Sequence, residues 1–118
     1  MMETRPDASE RGFSVVLITV PNEEDGARMA RTLVEESLAA CVNILKNIRS
    51  VYYWKGKVED DAEALLIVKT RRELFDALCS RVKELHSYEV PEIIALPITE
   101  GSAGYLNWLY ESTSGQRS

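Results

Sequence analysis

The sequence predicts an α+β sandwich: an antiparallel sheet of four strands, two helices on one of its faces, and a short helix at the C-terminus. Three observations predict it. Segments with strand and helix periods follow one another as strand, helix, strand, strand, helix, strand, which is the split βαβ order. Two strand segments, Phe13 to Val20 and Ala64 to Lys69, are apolar on both faces and so belong in a sheet interior. The stiffest turn signals punctuate these elements: Lys55-Gly56 is a tight turn, and the proline-containing stretch from Glu84 to Thr99 ends one helix, turns and opens a strand.

Residues 1–11 are polar, carry both charge signs and read as a disordered tail. One domain follows over 12–112, and 113–118 read as a frayed C-terminal tail. The run Phe-Ser-Val-Val-Leu-Ile-Thr-Val from Phe13 is the first strand. Pro21-Asn22 ends it. Asn22 is a good helix N-cap, and Glu23, Glu24 and Asp25 place negative charge at the positive helix end. Ala27, Ala30, Leu33, Val34 and Leu38 then recur at helical spacing, predicting a helix to about Leu38.

The second strand starts at Ala39-Ala40-Cys41, loses its alternation through Leu45 to Arg49, where a bulge is expected, and resumes at Ser50 to Trp54. Lys55-Gly56 is a tight turn. The chain returns through Lys57-Val58-Glu59, past an acidic run Glu59-Asp60-Asp61 expected to be a solvated loop, into the interior strand Ala64 to Lys69. Thr70-Arg71-Arg72-Glu73 fits a capping box for the second helix. Leu74, Leu78, Val82 and Leu85 line one face of that helix, with Cys79 beside the stripe. The fourth strand runs from Glu92 to Ile98, and Pro97 marks it as an edge strand or a strand end. Tyr105, Trp108 and Leu109 give the final short helix its apolar spacing.

The chain has 118 residues and 45% hydrophobic content, enough for one domain with a real core. A net charge of −5 argues against nucleic acid or an anionic membrane as a partner. Cys41 and Cys79 show no disulfide or zinc spacing and read as reduced, packed thiols. No apolar run reaches membrane-spanning length, and the N-terminus lacks the apolar core of a secretory signal, so a cytoplasmic protein is the expectation. No nucleophile–base pair stands out either: His86 is the only histidine and has no Ser or Cys partner by local spacing, so the chain is read as non-enzymatic.

Two helices cover only one sheet face, yet two strands are apolar on both. The second face, with Tyr52, Tyr53 and Trp54, would be an apolar patch larger than monomers expose. This predicts a homo-oligomer packed through its sheets and its long second-strand hairpin. The alternative is that the C-terminal helix alone folds under the sheet.

Several ordered segments also resemble a known family. They are Ala39-Ala40-Cys41-Val42-Asn43, Ser50-Val51-Tyr52-Tyr53-Trp54-Lys55-Gly56-Lys57-Val58-Glu59, Leu65 to Thr70, His86 to Ile98, and Tyr105-Leu106-Asn107-Trp108-Leu109. Together they resemble the CutA family of divalent-cation tolerance proteins, over about Phe13 to Ser112. The resemblance implies a ferredoxin-like protomer in a tight homotrimer, similar in plan to the PII-type signalling trimers, and binding of copper or another divalent cation. Some members of that family carry a cysteine in the first strand and a second histidine before the shared one. Ile18 and Leu85 stand at those positions, and Ser87 replaces the usual proline after the histidine.

The candidate chemistry gathers at the turn after the second helix. His86, Glu89 and Glu92 are candidate metal ligands, with Cys41 as a thiol donor from the second strand, because copper favours imidazole and thiolate. His86 has an alternative use as a cap on the C-terminal end of the helix, and Cys41 has one as a core residue. Trp54, Lys69 and Tyr88 are candidate pocket residues for a small molecule. Trp54 and Tyr52 share strand parity, so they face one side together. Lys69 either sits at the sheet rim or pairs with a carboxylate, Glu92 being one candidate. Two functions follow: a divalent-metal binding and tolerance protein, or a PII-like sensor or interaction scaffold with a pocket between subunits.

Overall fold

The computed structural model describes residues 12–115. The expected N-terminal tail and the last residues, 116–118, lie outside that range. The elements are β1 (Phe13–Val20), α1 (Glu23–Glu35), β2 (Cys41–Trp54), β3 (Lys57–Arg71), a single 3₁₀ turn (Arg72–Leu74), α2 (Phe75–Leu85), β4 (Ile93–Pro97) and α3 (Ala103–Ser112). The sheet order is β2-β3-β1-β4, and every pairing is antiparallel. The two strands that are apolar on both faces, β1 and β3, therefore sit inside, and β4, which ends on Pro97, sits at the edge.

Asn22 caps α1 as its residue type predicts, accepting the Asp25 N–H on Oδ1 at 2.8 Å. The helix stops at Glu35, short of the expected Leu38. Ser37 takes a left-handed φ of 62°, its N–H bonds Val34 O, and the Leu38 N–H reaches back to Leu33 O. This is a Schellman ending made without glycine, and Leu38 packs onto the core just beyond it. Gly26 lets α1 approach the sheet closely: a Cβ there would stand 3.1 Å from both Leu66 and Val20.

The capping box expected at Thr70 does not form. Thr70 is still in β3 and fully buried, and its hydroxyl donates to Leu38 O at 2.7 Å. With that oxygen committed to the α1–β2 connection, the chain enters α2 through the 3₁₀ turn, and no side chain caps the helix. Of the predicted apolar stripe, Leu78 and Val82 are buried, whereas Leu85 is exposed.

The main core lies between the helices and the sheet. Val16, Ile18, Val20, Leu66 and Val68 point up from the strands, and Met29, Leu33, Leu78 and Val82 point down from the helices. Each such buried side chain contributes about 1.5–3 kcal/mol. The opposite face is open: Leu45, Ile94 and Leu96 are 51%, 52% and 51% exposed. The terminal helix α3 covers only one end of it, where Leu106 and Leu109 meet Phe13 and Ala40. The chain does not fray at Thr113 as expected. Thr113 is buried, and Arg71 donates to its Oγ1 at 2.8 Å and to its carbonyl at 2.7 Å.

The hairpin β2–β3 extends past the rest of the sheet, and the molecule measures 59 Å along its longest axis. Lys55 and Gly56 take φ of 50° and 87° at its tip, the two left-handed positions of a type I′ turn. The bulge appears where alternation failed in the sequence: β2 advances from Leu45 to Ile48 while β3 moves only from Leu65 to Glu63, with Asn47 at a φ of 63°. One extra residue reverses side-chain parity in β2. Beyond the bulge Ser50, Tyr52 and Trp54 face the open side, opposite Asp61, Glu59 and Lys57.

Candidate functional site

The site is built on the turn between α2 and β4. His86 ends α2, and its N–H donates to Val82 O at 2.8 Å. Its ring crosses to β1, where Nε2 lies 2.7 Å from Thr19 O, while Nδ1 accepts the Tyr88 N–H at 3.1 Å. A carbonyl partner requires Nε2 to carry the proton, and an N–H partner requires Nδ1 to be bare. Both ring nitrogens are thus used by the backbone. The histidine does sit at the helix end, yet its ring bonds β1 and the turn rather than the last helical carbonyls.

Tyr88 stacks obliquely on His86, with ring centroids 4.6 Å apart, and its hydroxyl donates to Glu63 Oε2 at 2.5 Å. Glu63 is 7% exposed. Burial, and then the carboxylate beside it, push the Tyr88 phenol well above its ordinary pKa. A second such pair lies next along the hairpin: Tyr52 donates to Asp61 Oδ2 at 2.5 Å, which raises its phenol pKa to about 12. Tyr52, Glu63 and Tyr88 wall a cavity of about 550 Å³ on the open side of the sheet. Trp54, Glu89 and Glu92 complete its chemistry. At its rim Lys55 Nζ lies 3.3 Å from Glu89 Oε1 and 5.6 Å from the Trp54 ring centroid.

The structure therefore brings together four of the seven sequence-predicted residues. Trp54, Tyr88, Glu89 and Glu92 line one cavity. His86 stands behind it, holding Tyr88. Cys41 and Lys69 are elsewhere: they face each other in register across β2 and β3, and Lys69 Nζ lies 3.8 Å from Cys41 Sγ, not beside Glu92. Among the described residues no group of three or more His, Cys, Asp or Glu side chains is arranged to hold a metal ion. Both cysteines are free thiols, but they are half-buried and belong to neither core cluster, so the packed core positions expected for them are not found.

Sequence reasoning missed Glu63 and its neighbour Asp61, and placed Tyr52 only on the same strand face as Trp54. The acidic run is not a loop: Asp60 and Asp61 lie within β3, opposite Val51 and Ser50, and Asp60 forms a two-pronged pair with Arg49. The available signal was the period-two spacing of Glu59, Asp61 and Glu63, which places all three on one face of a strand.

A family model described as CutA1 divalent ion tolerance protein matches residues 14–112. A rice protein named "Protein CutA 1, chloroplastic" is 59% identical over 99 residues, spanning 84% of this chain and 56% of its own length. The chain thus spans little more than half of that plant relative. The divalent-cation tolerance protein CutA of Thermus thermophilus is 58% identical over 99 residues, covering 84% of this chain and 96% of its own. The crystal structure of CutA1 from Oryza sativa superposes with a TM-score of 0.85 at 57% identity, over 86% of this chain and 94% of that one. A structure from Archaeoglobus fulgidus, described as a periplasmic divalent cation tolerance protein, superposes with a TM-score of 0.84 at 42% identity, over 86% and 99% of the two chains. The names chloroplastic and periplasmic overturn the cytoplasmic expectation. That expectation rested on the polar character of residues 1–11 and on the want of a long apolar run, and neither selects a compartment. No helix among the described residues is long and apolar enough to cross a membrane.

Proposed function

The chain belongs to the CutA1 divalent ion tolerance family, and from that premise we propose that it binds copper or another divalent cation at modest affinity, without catalysis, as a homotrimer. The observation that carries the reading is the convergence of Glu63, Glu89 and Glu92 on one cavity whose lining includes no lysine or arginine. Oxygen donors at that density attract divalent cations, yet within one protomer they are too dispersed to chelate one closely. Neighbouring protomers, packed through the open sheet face, supply the remaining donors. His86 joins such a set only by releasing the Tyr88 N–H from Nδ1, which keeps the affinity modest. Cys41 faces Lys69 on the same open side and becomes a donor only across a subunit boundary. Calorimetry with copper and zinc, together with sedimentation equilibrium, tests this. Micromolar binding to a trimer is expected. A stable monomer at low micromolar concentration, or no heat with any divalent cation, overturns it.

One observation favours a second reading, a PII-like small-molecule sensor or interaction scaffold. The cavity volume of about 550 Å³ is far more than one ion needs and lies in the range of small-molecule sites. Thermal shift against nucleotides and other metabolites, in the absence of metal, distinguishes the two.

A further inference from the structure

We propose that the cavity between the β2–β3 hairpin and the turn after α2 takes an organic ammonium ion, specifically a compound carrying a primary amine. The proposal rests on the small-molecule reading and names its ligand class. Three features of the wall select that class.

The first is charge. Glu63, Glu89 and Glu92 line the cavity, and no lysine or arginine does. An anionic metabolite such as a nucleotide would meet three carboxylates there and no cationic side chain in the lining. The second is the state of the aromatic residues. The Tyr52 and Tyr88 hydroxyls are already given to Asp61 and Glu63. What these tyrosines and Trp54 offer a ligand is therefore ring surface, which attracts cations through the ring quadrupole. Each carboxylate that accepts a phenol proton keeps further lone pairs for an N–H donor. The third is spacing. The acidic groups are too far apart to close on one metal ion, but spread carboxylates and rings around a space of about 550 Å³ suit an extended organic cation.

The chain itself supplies a precedent. The Lys55 ammonium, a primary amine on the hairpin tip, lies 5.6 Å from the Trp54 centroid and 3.3 Å from Glu89 Oε1. Its side chain is 68% exposed, and surface pairs of this kind hold weakly, so a free amine of higher local charge displaces it. Lys55 is thus a tethered competitor at the cavity rim.

The test uses butane-1,4-diamine as probe and butane-1,4-diol as its uncharged counterpart, by calorimetry on the intact protein without metal. The diamine is expected to bind and the diol not to. Trp54→Ala and Glu92→Gln, both at exposed positions, should each weaken diamine binding about two- to fivefold. Lys55→Gln should tighten it, because the competitor is gone. If the diol or an anionic metabolite binds with the same dependence on Trp54, the cavity is a small-molecule site but the ammonium class is wrong. If neither these probes nor a metabolite panel binds, the small-molecule reading falls as well. If Lys55→Gln weakens the diamine, Lys55 is part of the binding wall and the displacement scheme is overturned.

Discussion

Tyr88 and Glu63 meet at 2.5 Å, hydroxyl to carboxylate, and this one contact ties the turn after α2 to the middle of β3. The two residues are 25 positions apart in sequence and belong to elements that do not pair in the sheet. The bond does two things at once. It satisfies a buried carboxylate, and it fixes the ring that forms one wall of the cavity.

Replacing Tyr88 with Phe keeps the ring and removes the donor. A buried acceptor that loses a charge-assisted bond costs roughly 1–3 kcal/mol. Urea denaturation of Tyr88→Phe should show a loss of that size with an unchanged m-value. A loss below a few tenths of a kcal/mol would mean that water replaces the phenol at Glu63.

His86 carries the next prediction. Because Nε2 bonds Thr19 O and Nδ1 bonds the Tyr88 N–H, His86→Ala removes two ties between the turn and β1. It should destabilise the fold by roughly 1–3 kcal/mol and loosen Tyr88. A melting point equal to that of the parent protein would show that the ring is dispensable to the turn, and would return it to consideration purely as a ligand.

The strand order, the interior position of β1 and β3, the bulge after Leu45 and the Asn22 cap were legible in the sequence because each is written in local pattern: apolar runs, lost alternation, a capping side chain. The cavity was legible only in part. Trp54, Tyr88, Glu89 and Glu92 stand out by type, but their convergence depends on the parity reversal at the bulge, and one extra residue cannot be placed from alternation alone. Glu63 was overlooked because it lies beside an apolar run and its partner is Tyr88, 25 residues away. Thr70 misled for the opposite reason. Its local pattern is a proper capping box, but a tertiary bond to Leu38 O takes the hydroxyl first.

The phenols make the site visible to pH. Tyr52 is raised from 10 to about 12, first by its bond to Asp61, and Tyr88 is raised further, first by burial. Tyr105 is raised by burial, with Cys41 adding to it. A phenol whose pKa is higher in the folded state contributes stability that is fully present below about pH 10, the unfolded value, and is lost as pH rises through the folded value. Absorbance at the phenolate band should therefore show Tyr52, Tyr88 and Tyr105 titrating late in the native protein, and no late group in denaturant. Tyr52→Phe and Tyr88→Phe should each remove one late group. Native phenols that all ionise near pH 10 would contradict both carboxylate pairs.

The last prediction concerns Arg71, which fastens α3 to the sheet. Its guanidinium donates to Thr113 Oγ1 and to Thr113 O, pairs with Glu73 at 2.5 Å and lies 4.9 Å from the Tyr110 ring centroid. Arg71 is largely buried, with 11% of its side chain exposed, so these bonds are poorly replaced by water. The helix they hold is short, and its apolar packing is a small cluster of Leu106 and Leu109 with Phe13 and Ala40, flanked by Ile98 and Tyr110. Arg71→Met preserves much of the aliphatic bulk and deletes the donors. It should cost roughly 1–3 kcal/mol, and amide exchange should speed up over Ala103–Ser112 while α1 and α2 stay protected. Uniform acceleration across the chain would instead mean that α3 unfolds only with the whole domain, and that Arg71 stabilises the sheet rather than the docking of this helix.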